Sequence, residues 1–226
     1  RCFDKNKLKQ IIFSSSACVY GNTGKFPIKE NNELKHENTY GYTKIVCEQI
    51  IENYCMENKC NYANLRYFNP SGCHESGLIG EGYALKDKSL MSNILRSIKN
   101  KKNKLLIFGS KYKTKDGTPE RDFVHVMDVA KGHINALRYI NRNKKNITCN
   151  LGSGVGTSVL EIIKNFEIIN KVKINYKLVG KRKGDVEKSY ACIKRAKKKL
   201  DWTPAMTISD ISNSSYKWFL NNKKKN

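Results

Sequence analysis

Two short stretches decide the fold and the chemistry expected of this chain: Phe13-Ser14-Ser15-Ser16-Ala17-Cys18-Val19-Tyr20-Gly21 and Tyr40-Gly41-Tyr42-Thr43-Lys44. The first follows an apolar strand, residues 11–13, which runs out into three serine hydroxyls. The second opens a helix in which Tyr40 and Lys44 lie on one face, because residues four apart are neighbours on a helix. Active sites of open parallel sheets lie at the carboxyl ends of strands, so both stretches are expected at such an edge.

Tyr40 and Lys44 are suited to proton transfer. A phenol has an ordinary pKa of about 10, and a nearby cation is needed to make it a useful base near neutrality. A serine hydroxyl at the end of the neighbouring strand, Ser16, can hydrogen-bond the oxygen of a substrate that is being oxidised. Taken singly, the serine run also fits a turn, and the Tyr-x-x-x-Lys spacing also occurs by chance.

Length and charge narrow the class of protein. The 226 residues allow one large or two small domains. The formal charge of +23 leaves a nucleic-acid or acidic-membrane partner open. However, the lysines lie mainly in Lys/Asn runs without interleaved aromatic residues, so nucleic-acid binding is disfavoured and solvated loops and helix faces are the preferred interpretation.

Compartment and cysteine chemistry follow from simple patterns. The chain has no run of eighteen apolar residues, so no membrane span is expected, and no signal peptide is visible at its start. The eight cysteines include no Cys-x-x-Cys pair, which favours reduced, buried thiols over disulfides or a metal site. We therefore expect a cytoplasmic protein without a metal.

Alternating hydrophobic patterns predict an α/β protein with a mostly parallel sheet. The expected strands are 8–13, 62–67, 105–108, 121–126, 147–151 and 173–178. The expected helices are 40–58, 90–99, 128–139, 194–200, 208–220 and one after a capping box at Ser158 and Glu161. Residues 14–39 and 71–88 are expected to be loops.

The serine run followed by Asn38-x-Tyr40-Gly41-x-x-Lys44 resembles the extended short-chain dehydrogenase/reductase superfamily, and within it the UDP-glucose 4-epimerases most. The resemblance runs from about Ile11 to Trp218. It implies a partial Rossmann-type parallel sheet plus a smaller α/β substrate-binding domain. Residues 1–70 would be the C-terminal part of the NAD-binding Rossmann domain. Residues 71–226 would be mainly the UDP-sugar-binding domain, with 122–152 returning to the Rossmann domain.

The glycine-rich loop that holds the NAD pyrophosphate in this superfamily is not found in the chain. Gly152-x-Gly154-x-Gly156 is a poor match to the dinucleotide fingerprint and is better explained as a tight turn. The chain therefore resembles the C-terminal two-thirds of an epimerase. The expectation is either a fragment of a longer protein or a protein that cannot hold NAD unaided.

The resemblance also implies roles for individual residues. The catalytic residues would be Tyr40, Lys44 and Ser16, and the contacts to NAD would come from Tyr40, Lys44 and Tyr67. The substrate-binding residues would be Ser16, Ala17, Cys18, Tyr67, Phe68, Asn69, Ser89, Leu90, Leu106, Ile107, Phe108, Arg121, Arg182, Asp185 and Ser189. Arg121 and Arg182 would hold phosphate, because a guanidinium suits its geometry, and Asp185 would hold a ribose hydroxyl.

The implied activity is reversible C4 epimerisation of UDP-glucose and UDP-galactose through a 4-keto intermediate with bound NAD. The small Ser189 would leave room for N-acetylated UDP-hexoses; the alternative is that Ser189 is only a loop residue and that the neighbouring Tyr190 fills the gap. The serine run lacks the acidic residue of the dehydratases, which favours epimerisation over dehydration. Alternatives are another sugar-nucleotide enzyme of the superfamily, an inactive fragment, or a basic nucleic-acid-binding protein. The implied partners are a UDP-hexose and, when full length, a second copy in a homodimer.

Overall fold

The computed structural model describes residues 8–81, 89–100, 102–182 and 184–222, and it confirms the α/β class. In the described part, the strands are β1 (Gln10–Ser16), β2 (Asn61–Tyr67), β3 (Asn69–Ser71), β4 (Leu105–Phe108), β5 (Glu120–Arg121), β6 (Phe123–His125), β7 (Ile147–Leu151), β8 (Thr157–Ser158), β9 (Tyr176–Val179) and β10 (Lys188–Ser189). The helices are α1 (Thr39–Glu57), α2 (Leu90–Lys99), α3 (Val126–Asn143), α4 (Val159–Asn170), α5 (Lys194–Leu200) and α6 (Ile208–Asn222). Residues 82–88, at the end of the second expected loop, lie outside the described residues.

The chain divides into two compact units. Unit 1 comprises Arg1–Phe68, Val129–Gly154 and Tyr190–Thr203, and unit 2 comprises Asn69–Asp128, Val155–Ser189 and Pro204–Asn226. The two longest stretches that these units assign differently from the expected bounds are residues 122–128 and 190–203.

Both differences have a backbone cause. Strand β6 pairs in parallel with β3, which keeps residues 123–125 in unit 2. Residues 190–203, expected in the sugar-binding domain, join unit 1 because Ile28 forms a parallel bridge with Ala191. In that bridge the Ile28 N–H donates to the Tyr190 carbonyl at 2.8 Å, and the Cys192 N–H donates to the Ile28 carbonyl at 2.8 Å.

Unit 1 is built on a parallel sheet in the order β1-β2-β7. Strand β1 continues through Ser16, three residues beyond the end that its apolar run predicts, because Ser14 to Ser16 pair with Leu65 to Tyr67. A short 3-10 turn, Ala17–Tyr20, follows it at once. The expected loop over residues 14–39 is therefore partly structured, and the serines lie within the sheet.

Unit 2 has short sheets around a helical core. The strand pairs β4-β9 and β3-β6 are parallel, and β5 lies between β10 and β8. The core consists of apolar side chains from α2, α4, α6 and the strands, including Ile94, Leu95, Ile107, Ile162, Phe166, Ile211 and Phe219. The predicted capping box is confirmed, because Ser158 and Glu161 exchange hydrogen bonds at the start of α4.

The cysteine prediction was wrong at one pair. Cys55 and Cys60 form a disulfide, since the short turn from α1 into β2 brings their Cα atoms to 4.5 Å. Cys18, Cys47, Cys73, Cys149 and Cys192 carry free thiols. No helix in the described part of the chain is long and apolar enough to cross a membrane.

Candidate active site

The serine end of β1 forms one edge of the site in unit 1. Ser16 is buried, and its Oγ accepts a hydrogen bond from the backbone N–H of Cys18 at 3.2 Å. Ser16 thereby caps the turn that contains Ala17 and Cys18, two further residues expected to bind substrate. Because a hydroxyl has one donor and two acceptor positions, this cap leaves the Ser16 hydrogen available for a further hydrogen bond.

Helix α1 begins directly against this turn. Asn38 caps the helix by accepting a hydrogen bond from the Gly41 N–H at 2.8 Å. A Cβ placed on Gly41 would lie only 2.6 Å from the carbonyl oxygen of Cys18, so only glycine permits this approach. The neighbouring Tyr40 is therefore held beside the turn, with 53% of its surface exposed.

Lys44 connects the helix to the strand. Its Nζ donates a hydrogen bond to the backbone carbonyl of Ser14 at 2.8 Å. The same atom lies 5.5 Å from the centre of the Tyr40 ring and 4.9 Å from that of Phe13. The structure thus brings a phenol and an ammonium group together next to the end of β1, as their spacing predicts.

Tyr67 ends β2 at the same edge of the sheet, in register with Ser16. Its ring lies 5.8 Å from that of His133, and His133 Nε2 is 3.2 Å from the Ser14 hydroxyl. The other nitrogen of His133 lies 2.9 Å from the carbonyl of Val129. The next residue, Phe68, is buried in the apolar cluster with Val19, Tyr20 and Ile28 rather than exposed for binding.

Most of the remaining expected substrate residues line one cavity in unit 2. Its volume is about 250 Å³. The expected residues on its wall are Asn69, Ser89, Leu90, Leu106, Ile107, Phe108, Arg121, Arg182 and Asp185. Ser89 also caps α2 by accepting a hydrogen bond from the Ser92 N–H at 3.0 Å. Residues separated by more than a hundred positions in the chain thus share one wall.

The charged residues of this cavity are arranged in pairs and stacks. Arg121 forms an ion pair and a hydrogen bond with Asp185. The guanidinium carbon of Arg182 lies 3.6 Å from the centre of the Phe108 ring, which fixes the cation over an aromatic face. Ser189 is not among the lining residues. It is half-buried in β10, in register with Arg121, while the neighbouring Tyr190 stacks on Phe26 at 5.5 Å.

A larger basic cavity of about 560 Å³ shares the Leu106, Phe108 and Arg182 side of this wall. It adds Arg96, Lys102, Lys104 and Lys177. Within the described residues, Lys102, Lys104, Lys177 and Arg182 form no ion pair with a carboxylate. This concentration of positive charge favours an anionic ligand.

Residues 1–152 match the NAD dependent epimerase/dehydratase family. The chain belongs to this family. It is 42% identical over 217 residues to UDP-glucose 4-epimerase of Dictyostelium discoideum, covering 95% of this chain and 63% of the relative. It is 39% identical over 213 residues to the human UDP-glucose 4-epimerase, covering 93% of this chain and 61% of the relative.

Solved structures of the family agree with the fold. One is UDP-glucose-4-epimerase from Stenotrophomonas maltophila with bound NAD and formylated UDP-arabinopyranose, which has a TM-score of 0.94 at 35% identity. The match covers 99% of this chain and 67% of the Stenotrophomonas chain. The Bifidobacterium longum enzyme in complex with NAD+ and UDP has a TM-score of 0.89 at 37% identity, with coverage of 98% and 66%. The chain spans slightly less than two-thirds of the length of the curated UDP-glucose 4-epimerases that it matches.

The structure adds residues to this family site that the sequence reasoning missed. Beneath the serines, Ser15 and Arg66 both hydrogen-bond the buried carboxylate of Glu48. Arg66 also hydrogen-bonds the hydroxyl of Tyr20. Burial raises the pKa of Tyr20 to about 12, so this phenol stays protonated and donates to Asn150. Tyr20 is therefore a structural phenol, in contrast to the exposed Tyr40.

Burial also acts to lower the pKa of the Arg66 guanidinium, but the hydrogen bonds and charge of Glu48 outweigh it and the net shift is upward. Arg66 is therefore a permanent cation at the centre of this network. The signal for it was the charged Arg66 beside the buried Leu65 and Ala63 in a short strand. Among the described residues, no group of three or more histidine, cysteine, aspartate or glutamate side chains is placed to hold a metal ion.

Proposed function

We propose that this protein catalyses reversible C4 epimerisation of UDP-glucose and UDP-galactose through a 4-keto intermediate, with NAD as its cofactor. The observation that carries the proposal is the exposed Tyr40 phenol beside the Lys44 ammonium at the serine end of β1. The names of the relatives support the same substrate class, since they are UDP-glucose 4-epimerases.

The groups in unit 1 are suited to acid–base chemistry on a sugar hydroxyl. Tyr40 removes the proton from the 4-hydroxyl oxygen and later returns it. Lys44 stabilises the phenolate, because an opposite charge nearby favours the charged form. Ser16 donates its hydroxyl hydrogen to the same oxygen, holding it while its charge changes.

The residues of this edge also fit the nicotinamide end of NAD. Lys44 carries three N–H donors, of which the Ser14 carbonyl occupies one, so others remain for a cofactor hydroxyl. Tyr67 lies at the same edge. We assign Tyr40, Lys44 and Tyr67 to the cofactor. When bound, NAD would supply the hydride chemistry at C4, and these residues would hold its nicotinamide end.

Unit 2 supplies binding for the nucleotide. Arg121 and Arg182 are assigned to the diphosphate, and Asp185 to a ribose hydroxyl. The backbone of residues 106–108 is assigned to the uracil edge, and Asn69 and Ser89 to the phosphates. Leu90 completes the cavity wall. The ion pair between Arg121 and Asp185 holds both groups in place before the ligand arrives.

Three further proposals come from the resemblance. Acceptance of N-acetylated UDP-hexoses follows from the small Ser189. A homodimer of the full-length protein and a cytoplasmic location are expected as well. Sedimentation of the full-length protein tests the dimer, and a fluorescent fusion followed by microscopy tests the location.

The decisive experiment measures conversion of UDP-galactose to UDP-glucose by the full-length protein with NAD. Turnover that depends on NAD is expected. A folded protein that binds both NAD and UDP but converts neither sugar would overturn the proposal. Calorimetry on this chain with UDP tests unit 2 separately. In a competition measurement at physiological salt, bound UDP should be displaced by added UDP but not by single-stranded RNA.

A further inference from the structure

A connected set of buried polar side chains lies beneath the serine end of β1. It consists of Ser15, Tyr20, Glu48, Arg66 and Asn150, each no more than 5% exposed. All five belong to unit 1, and they come from β1, the turn after it, α1, β2 and β7. The set therefore reaches every strand of the parallel sheet and the helix that carries Tyr40 and Lys44.

Glu48 is the centre of the set. Arg66 donates to both of its oxygens, with Nε to Oε1 at 2.9 Å and Nη2 to Oε2 at 2.5 Å. The hydroxyl of Ser15 donates to Oε1 as well. This two-pronged geometry fixes the carboxylate in direction as well as distance. Helix α1 is thus tied to β1 and β2 through one side chain.

From Arg66 the hydrogen bonds continue across the sheet. Its Nη1 donates to the Tyr20 hydroxyl at 3.0 Å, and that hydroxyl donates to Asn150 Oδ1 at 2.6 Å. Asn150 Nδ2 then donates to the Ile28 carbonyl at 2.9 Å. The turn that follows Ser16 is therefore fixed from below by its own Tyr20.

Stability alone is a weak reason for a buried ion pair. Removing two charges from water costs so much that a pair of well-packed apolar residues is often as stable or more stable. What apolar residues do not provide is direction, whereas a fully hydrogen-bonded network specifies one arrangement of its members. The distinctive contribution of Glu48 and Arg66 is thus the placement of α1 against β1.

That placement determines the geometry of the proposed catalytic groups. Ser15 is bonded next to Ser16 in β1, and Glu48 follows Lys44 by one helical turn and Tyr40 by two. We propose that Glu48 and Arg66 are positioning residues, which hold the Tyr40–Lys44 pair and the Ser16 hydroxyl in reacting geometry. This inference rests on the proposed function. A misplacement of about 1 Å can cost about 100-fold in rate.

The test separates positioning from stability by replacing both partners. In the full-length protein with NAD, Glu48→Met alone or Arg66→Met alone leaves a buried charge and lowers the melting temperature strongly. The double variant Glu48→Met/Arg66→Met is expected to recover most of that loss. Its kcat for UDP-galactose is expected to remain at least about tenfold low, with KM little changed, as for a misplaced reacting group.

Two companion variants keep the test decisive. Ser15→Ala removes only the link from β1 to Glu48, and is expected to lower kcat several-fold without a large change in melting temperature. Glu52→Gln, one turn further along α1 and bonded to Asn64, is the matched control and should leave kcat unchanged. Amide hydrogen exchange at residues 14–18 and 38–44 should be faster in the double variant and in Ser15→Ala than in wild type. It should be unchanged in the Glu52→Gln control.

The outcomes are distinct. A stable double variant with wild-type kcat overturns the inference. If the double variant does not fold, a Ser15→Ala variant with normal kcat and normal exchange overturns it instead. A folded wild-type protein without epimerase activity instead overturns the proposed function. In that case the exchange measurements still decide whether Glu48 and Arg66 order the two segments.

Discussion

The two units use polar groups in opposite ways. In unit 1 the charged pair Glu48–Arg66 is buried and fully hydrogen-bonded beneath the site. At the candidate site of unit 2, by contrast, several cations lie on the walls of cavities, and the exposed Arg182 stacks on Phe108. Buried pairs specify geometry, whereas accessible cations attract and bind an anion. The difference suits proton transfer in one unit and nucleotide binding in the other.

The most direct test of this difference between the units is to remove the phenol of unit 1. Tyr40→Phe in the full-length protein should lower kcat by about 100- to 10,000-fold, the range typical of a lost acid–base group. The affinity for the UDP-sugar should hardly change, because that affinity is assigned to unit 2. Steady-state kinetics and UDP calorimetry measure the two quantities. Tyr42→Phe, a similarly exposed phenol two residues along, is the control, and an equal loss there would refute the assignment.

The reverse result is expected for unit 2. Arg182→Ala should weaken UDP binding by about 10- to 100-fold, since hydrogen bonds to charged groups contribute about 1.5–3 kcal/mol. Calorimetry on this chain measures the loss, and it should shrink at high salt. Arg138→Ala removes an exposed cation from unit 1 and should leave UDP affinity unchanged. A similar loss from Arg138→Ala would mean that net charge alone attracts the ligand.

Substrate breadth gives a more selective effect. Ser189→Tyr should abolish conversion of UDP-N-acetylgalactosamine while leaving UDP-galactose largely unaffected, because an added ring collides only with the larger sugar. The ring of the neighbouring Tyr190 lies 5.5 Å from that of Phe26. The comparison of both substrates on the full-length enzyme decides the point. A wild-type enzyme that ignores N-acetylated sugars would show that another group closes the pocket.

The smallest expected effect concerns the stability of unit 2 in acid. Hydrogen bonds from Lys115 and from the Ser158 N–H lower the pKa of Glu161. The folded state therefore binds this proton less readily than the unfolded state, and the stabilisation is present above about pH 4.3, the ordinary glutamate value. It is lost as the pH falls through the lower folded value. Urea unfolding measures the free energy of unfolding at pH 7 and at pH 3. The decrease between these two pH values should be smaller for Glu161→Gln than for wild type.

Much of the fold could be predicted because its signals are local. Apolar runs gave β2, β4 and β7, and the helix periodicity gave α2 and α5 close to their observed bounds. The extension of β1 through Ser16 could not be predicted in this way, because three serines carry a turn signal that pairing with β2 overrides. The Cys55–Cys60 disulfide depends on how tightly α1 turns into β2, which composition does not reveal.

The candidate site shows the same division. Tyr40 and Lys44 could be found because both lie on one short helical segment. Glu48 could not, since Tyr40, Lys44 and Glu48 at four-residue spacing look like a solvated helix face. The pairing of Arg121 with Asp185 joins residues 64 positions apart, and only the parallel arrangement of β5 and β10 brings them together. Long-range electrostatic pairs are set by topology.

The close approach at Gly41 limits how this protein can vary. No side chain fits between α1 and the Cys18 carbonyl, so even Gly41→Ala would push the first turn of the helix away from the turn that follows β1. Tyr42, one residue later, is 51% exposed, and its ring lies 5.0 Å from that of His36, so this position has more room to change. In a library that places every amino acid at each position, few substitutions should preserve the fold at Gly41 and many should preserve it at Tyr42. The absence of a single methyl group at Gly41 thus sets how closely α1 approaches the turn that follows β1.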